Sequence, residues 1–359
     1  METASNPQNQ AAKTRSRVTK KGHSPLLRAA IGIRSPSGWL HLDHCAVAYE
    51  EIPDGDPKAQ PIVCLHAAGS GSREFHPLRG RRPIGSRLIF VDWPGHGRSG
   101  PIPAESPQKL TVEFAATILQ NLLDRLGIDR PILLGSGFGA AAAIRFAASF
   151  PDRTAGLALC QPAGLLPASS AGPVSTRSKF GINAMLRRMQ RLAPEKTGSD
   201  TALAAKRQAL RLEILRPDMR PAIAAIRTSL EQSTTSLRSA LDALTCPTLF
   251  ALSRDNQDCP LRKYIALLDP SLALAPKHRY TVFSGAFHPI WEEPERFSQM
   301  LLSFVQAQLP LARHTHAWIV SEVDWPTKDN NLWKCVHPDC GAERVLPVGR
   351  NANAETQRD

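Results

Sequence analysis

The chain is predicted to fold as an α/β protein whose mostly parallel sheet carries helices on both faces. Three observations lead there. From Trp39 onward, short β-rich runs alternate with stretches of helical periodicity. Runs such as Pro131–Leu134 and Ala155–Cys160 are apolar without polar alternation, as strands buried on both faces must be. The rhythm is interrupted once, between Gln161 and Leu244, by a helical insertion, and then resumes. Strands that alternate with helices need crossover connections, and a helix-covered parallel sheet supplies them.

The elements follow in order. Leu40–Tyr49 reads as the first strand and Pro61–His66 as the next, which ends in the Gly/Ser-rich turn Ala67–Ser72. Arg87–Asp92 is a strand closed by Trp93-Pro94-Gly95-His96-Gly97. Thr111–Leu126 carries Phe114, Ile118, Leu122 and Leu126 at helical spacing. Pro131–Leu134 is a strand, Ala140–Phe150 an Ala-rich helix ended by Pro151, and Ala155–Cys160 a further strand. After the insertion come a strand at Pro247–Leu252, a helix at Leu261–Leu268, a strand at Tyr280–Phe283 and an amphipathic helix at Pro294–Leu309. The expected organisation is a basic arm (1–36), a first core half (37–164), a helical cap (165–243), a second core half (244–309) and a Trp/Cys appendage (310–359).

The net charge of +12 is unevenly spread. Residues 1–34 hold seven basic residues and one acid, which predicts a mobile arm; a basic, acid-poor arm is also compatible with a transit peptide. Leu26–Leu27 is cut off by Arg28, so no secretory signal is expected. The longest apolar run, Gly137–Ile144, stops at Arg145, far short of the ~20 residues of a membrane span. Of the seven cysteines, Cys45, Cys64, Cys160 and Cys246 sit in apolar runs as small hydrophobes, so a reduced, cytoplasmic chain is the default. From Arg177 to Arg238 there are 13 basic residues. Within that stretch Phe180–Leu192 is amphipathic, with Met185, Met189 and Leu192 opposite an Arg-rich side. It reads as a lid helix with a solvated basic face, or as a surface for an anionic or acyl ligand, a carrier protein or anionic lipid. Nucleic acid is not the expected partner, since no recognised binding motif accompanies the charge.

Three pieces carry the chemistry. Leu133–Ala141 spells Leu-Leu-Gly-Ser-Gly-Phe-Gly-Ala-Ala across a strand–turn–helix, the small-residue pattern of a sharp nucleophile elbow. Asp255 follows the strand Pro247–Leu252, with Asp258 as the alternative acid, and His288 follows Tyr280–Phe283. Elbow, acid and histidine come in the chain order of α/β-hydrolases. The sequence resembles that superfamily over about Ser37–Leu309, through His66-Ala67-Ala68-Gly69 at the oxyanion turn and Asp92-Trp93-Pro94-Gly95-His96-Gly97-Arg98-Ser99 after the fourth strand. Gly285-Ala286-Phe287-His288-Pro289 with Glu293-Pro294-Glu295-Arg296-Phe297 matches its histidine loop and last helix, and the insertion matches its cap.

One departure is central. The superfamily pattern Gly-x-Ser-x-Gly reads here Gly135-Ser136-Gly137-Phe138-Gly139, so Gly137 stands at the nucleophile position. Ser136 is one residue early; making it the nucleophile would put Leu134 and Phe138 where the turn wants small residues. What the resemblance implies is a His288–Asp255 base and an oxyanion hole from the Ala68 and Phe138 amides. That machinery suits an ester, thioester or C–C substrate attacked without a serine. The alternatives are an inactive pseudo-hydrolase that binds a ligand or regulates, and a serine esterase using Ser136. His66 and His96 are expected to be structural. No cofactor is expected for catalysis. In the appendage, Cys335 and Cys340 followed by Gly341 look like half of a structural zinc knuckle, with a reduced pair and a disulfide as the other states.

Overall fold

The computed structural model describes residues 36–54, 59–83, 85–106, 109–166, 219–256, 260–274, 278–284, 288–307, 318–322, 330–335 and 343–347. The main sheet has eight strands in the order β1-β2-β4-β3-β5-β6-β7-β8. These are β1 (Gly38–Leu42), β2 (Cys45–Ile52), β3 (Gln60–Leu65), β4 (Ser86–Val91), β5 (Ile132–Ser136), β6 (Gly156–Cys160), β7 (Thr248–Ser253) and β8 (His278–Phe283). Strands β3 to β8 pair in parallel, while β1 and β2 are antiparallel. The expected single strand Leu40–Tyr49 is in fact a hairpin: the chain reverses at Asp43-His44, and Leu42 pairs with Cys45. An apolar run on both sides of a polar two-residue turn reads as one strand in sequence, because period-2 patterning continues across it.

Both faces of the sheet are buried, as the unbroken apolar strands require. Val63, Leu65, Ile89, Val91 and Leu133 join one core, and Ile62, Cys64, Leu88, Phe90, Ile132 and Leu134 the other. The first core is closed by α1 (Val112–Leu126) and α2 (Phe138–Ser149). Thr111 caps α1, its side chain accepting from the Phe114 N–H at 3.1 Å, a contact of about 1 kcal/mol. The second core is covered by α7 (Pro294–Gln306), which buries Phe297, Leu301, Phe304 and Val305. Before it stand α5 (Leu261–Leu274) and the single turn α6 (Pro289–Glu292).

Of the expected cap, residues 219–242 form α3 (Met219–Gln232) and α4 (Thr234–Asp242). Helix α3 is tied to the core where Ser229 Oγ accepts the Val112 N–H at 2.9 Å. The amphipathic stretch Phe180–Leu192 and the basic arm lie outside the described residues. In the appendage, β9 (Trp318–Glu322), β10 (Asn330–Cys335) and β11 (Glu343–Pro347) form a separate antiparallel sheet in the order β11-β10-β9. Cys335 ends β10, and Cys340 lies outside the described residues. Cys45, Cys64, Cys160 and Cys246 form no disulfide. No described helix is long and apolar enough to cross a membrane.

Candidate active site

The site is built where four chain segments meet at the carboxyl ends of β3, β5 and β8. The first is the elbow between β5 and α2. Gly137 takes φ 52° and ψ −110°, a left-handed conformation that an L side chain occupies only under strain. Its N–H donates to Cys160 O at 3.0 Å, and its carbonyl accepts from Ala163 N at 3.0 Å. The flanking positions have no room for a side chain. A Cβ on Gly135 would lie 2.5 Å from Ala140 Cα, and one on Gly139 would lie 2.0 Å from Leu65 O. The two forced glycines set the frame of the turn. Gly137 is its apex, and Ser136 is the last residue of β5, only 3% exposed.

The second segment is the turn after β3. His66 Nε2 accepts the Trp93 N–H at 2.9 Å, so the ring proton lies on Nδ1, which donates to Ala67 O at 2.7 Å. Trp93 Nε1 also donates to His66 O at 3.0 Å. Burial lowers the pKa of His66, against the opposing charge of Asp92 and Glu74, and the imidazole is neutral. His96 Nε2 accepts the Gly69 N–H at 3.0 Å. Both histidines therefore serve as backbone acceptors that hold loops, as expected of them. Asp92 braces the same corner, accepting Ser72 N–H at 2.6 Å and Arg98 Nε at 2.8 Å. Among the described residues no hydrogen bond engages the N–H of Ala68 or of Phe138. Phe138 opens α2, and first-turn amides have no helical carbonyl to bond.

The third segment is a 3₁₀ stretch, Ser72–Leu78, and it supplies a residue that the sequence reading missed. Glu74 is 1% exposed and has a hydrogen-bonding partner on each oxygen. Its Oε2 accepts the Ala67 N–H at 2.9 Å, and its Oε1 lies 2.8 Å from His288 Nε2. Burial by itself would raise the carboxyl, but the charge and hydrogen bond of His288 and the nearby Ser136 hydroxyl outweigh it and hold it at about 2. Glu74 is thus an ionised carboxylate in the floor of the site. The only hint in the sequence is a lone acid between Arg73 and Phe75 after a Gly/Ser-rich turn, and nothing there says that the chain curls back on the elbow.

The fourth segment is the histidine loop. His288 precedes α6, its N–H donates to Glu292 Oε2 at 3.0 Å, and its side chain is 15% exposed. Trp291 Nε1, one turn on, donates to Glu74 O at 2.7 Å and locks this loop to the 3₁₀ stretch. The expected His288–Asp255 pair is not formed. Asp255 lies in the turn after β7, exposed to solvent and without a hydrogen bond to the imidazole. The ring is turned so that Nε2 meets Glu74, because Trp291 anchors α6 against Ser72–Leu78. Asp258 lies outside the described residues. No group of His, Cys, Asp and Glu among the described residues is arranged to hold a metal ion.

Comparison with known proteins agrees with this architecture. Residues 62–300 match the model of the alpha/beta hydrolase family. A 2-hydroxy-6-oxononadienedioate/2-hydroxy-6-oxononatrienedioate hydrolase 2 of Pseudomonas putida is 27% identical over 273 residues, 72% of this chain and 91% of that protein. A 2-hydroxy-6-oxo-6-phenylhexa-2,4-dienoate hydrolase of Burkholderia cepacia is 30% identical over 112 residues, covering 30% of this chain and 38% of that protein. Among solved structures, a thermophilic esterase from Thermogutta terrifontis superposes with a TM-score of 0.60 at 21% identity, covering 76% of this chain and 99% of that one. The enol-lactonase from Burkholderia xenovorans LB400 gives 0.58 at 17% identity, with 75% and 99% covered.

Proposed function

Because the chain belongs to the alpha/beta hydrolase family, we propose that it is an enzyme that hydrolyses a small carbonyl-containing substrate without a serine nucleophile. His288 is the general base and the Ala68 and Phe138 amides are the oxyanion hole. In the attack step a water oxygen bonds to the carbonyl carbon and its proton passes to the imidazole. The C=O π pair moves onto oxygen, where the two amides stabilise it. Collapse re-forms the carbonyl and breaks the bond to the leaving group, which takes the proton back from His288. The relatives named for 2-hydroxy-6-oxo dienoates point to the substrate class. Hydrolysis at a ketone must break a carbon–carbon bond, and the two carboxylates of a dioate agree with a positively charged chain.

The observation that carries this reading is the elbow. It keeps its strained apex, its glycine flanks and its unengaged Phe138 amide, while the position that would bear a serine has no side chain. The test is turnover on a panel of ester, thioester, lactone, β-diketone and 2-hydroxy-6-oxo dienoate substrates. The expected result is activity in the parent that is lost in His288→Ala and kept in Ser136→Ala. Loss in both variants would make Ser136 the nucleophile and overturn the proposal.

A second reading has its own observation. In the Ser-His-Asp template Nε2 is the nitrogen that serves the nucleophile, and here Glu74 already occupies it. A protein that binds a carbonyl ligand without turning it over fits that arrangement. Saturable binding of panel members with no product in any of them would favour it.

A further inference from the structure

We propose that Glu74 is the positioning carboxylate of His288, in the place expected for Asp255, and that it directs the base function to the opposite ring nitrogen. The inference rests on the reading of His288 as a base for its kinetic consequence, but not for its structural one. An ionised carboxylate only accepts hydrogen bonds. The 2.8 Å contact between Glu74 Oε1 and His288 Nε2 therefore puts the ring proton on Nε2, and the neutral imidazole carries its lone pair on Nδ1. In the Ser-His-Asp template the carboxylate holds Nδ1–H and leaves Nε2 as the base. The arrangement here is its mirror image.

Several features make Glu74 suited to the task. It is fixed at both ends. Its carboxylate is held by the Ala67 N–H, and its main-chain carbonyl takes the Trp291 indole N–H from the histidine loop itself. Histidine loop, acid and the turn after β3 are therefore tied together, and the imidazole is oriented by a group that is itself held at two points. A buried, fully hydrogen-bonded carboxylate also remains ionised as the imidazole takes a proton. The imidazolium formed in the attack step then faces a fixed negative charge in a site where water screens little. Asp255 is exposed to solvent and offers no burial. Glu292 is committed to the main-chain N–H of His288, and Glu293 to Ser284 and Arg296.

The test uses the full chain labelled with ¹⁵N-histidine, the His288 ring signals being identified by their absence in His288→Gln. The expected result is a slowly exchanging, downfield proton on Nε2 of His288. It moves upfield or is lost in Glu74→Gln and is unchanged in Asp255→Asn. A proton on Nδ1 that disappears in Asp255→Asn would overturn the proposal, and so would an Nε2–H signal that ignores Glu74→Gln. Neither the parent spectrum nor Asp255→Asn depends on Glu74→Gln folding, and none of the spectra depends on turnover. With a panel substrate that turns over, Glu74→Gln is expected to lower kcat by roughly a hundredfold or more, with KM changed by less than about threefold. Loss through KM alone would assign Glu74 to substrate binding and overturn the positioning role. An absence of turnover in the parent would count against the hydrolase reading only, leaving the tautomer to decide this one.

Discussion

Placing a serine at Gly137 should cost this fold stability, and a single methyl group explains much of that cost. Gly137 sits at φ 52°, so any side chain there pays about 1–2 kcal/mol in backbone strain. A Cβ at 137 would also lie 3.0 Å from Ala67 Cβ, closer than packed carbons normally come, while Ala67 Cα at 3.5 Å is in ordinary contact. Crowding of that kind adds about 1–3 kcal/mol. Gly137→Ser is therefore expected to lower unfolding stability by roughly 2–5 kcal/mol, the sum of the two terms. Ala67→Gly removes only the crowding, so in that background the same substitution should be cheaper by at least about 1 kcal/mol. Urea unfolding of the parent, both single variants and the double variant closes the cycle. A Gly137→Ser protein within about 0.5 kcal/mol of the parent, or an equal cost in both backgrounds, would refute the argument. It would mean that the elbow relaxes and that Ala67 does not guard it. The double variant should still resist a serine-directed phosphonate, because the proton that Glu74 holds on His288 Nε2 leaves that nitrogen unable to take one from a new hydroxyl.

Three further outcomes follow from the same carboxylate. Ser136→Ala removes a hydroxyl that helps hold Glu74 ionised and should cost about 1 kcal/mol of stability in denaturant. The parent's Ser136 should take up no phosphonate, since the residue is 3% exposed and the Glu74 carboxylate is too weakly basic to deprotonate it. The pH dependence has a definite sign. Glu74 is held at about 2 against an ordinary value of 4.5, so its ionised form stabilises the fold fully above pH 4.5 and that contribution is lost as the pH falls toward 2. The stability gap between the parent and Glu74→Gln should accordingly narrow over that interval in urea midpoints, and a gap that stays constant from pH 6 to about 2 would contradict the assignment.

The fold was readable because its signals are local. Unbroken apolar runs such as Ile132–Leu134 need cover on both faces. Thr111 and the Phe114–Leu126 spacing mark a helix start and its buried side. The hairpin at Asp43-His44 was not readable, since alternation continues through so short a turn. In the site, the elbow frame was legible because Gly135 and Gly139 are forced by contacts within a few residues or with the adjacent strand. The partner of His288 was not. Glu74 is 214 residues from it in the chain, and its role depends on a 3₁₀ stretch packing under α6 through Trp291, which no spacing rule encodes.

The motifs that identify the family and the groups proposed to do its chemistry are largely different residues here, and that separates the two questions. His66, His96, Asp92 and Arg98 account for much of the motif match: the first three hold the Trp93, Gly69 and Ser72 amides, and Arg98 braces the Asp92 carboxylate. Those contacts do not involve position 137. The apex conformation therefore needs no side chain at 137, because the Gly137 peptide is anchored by Cys160 and Ala163. A scaffold held in this way reports its ancestry through the loops whatever the reaction has become. Two small positions face each other across the site, a methyl at 67 and a glycine at 137, together with an ionised Glu74 on the nitrogen that a serine at 137 would use. All three act against serine chemistry, and only the last offers the imidazole a different partner.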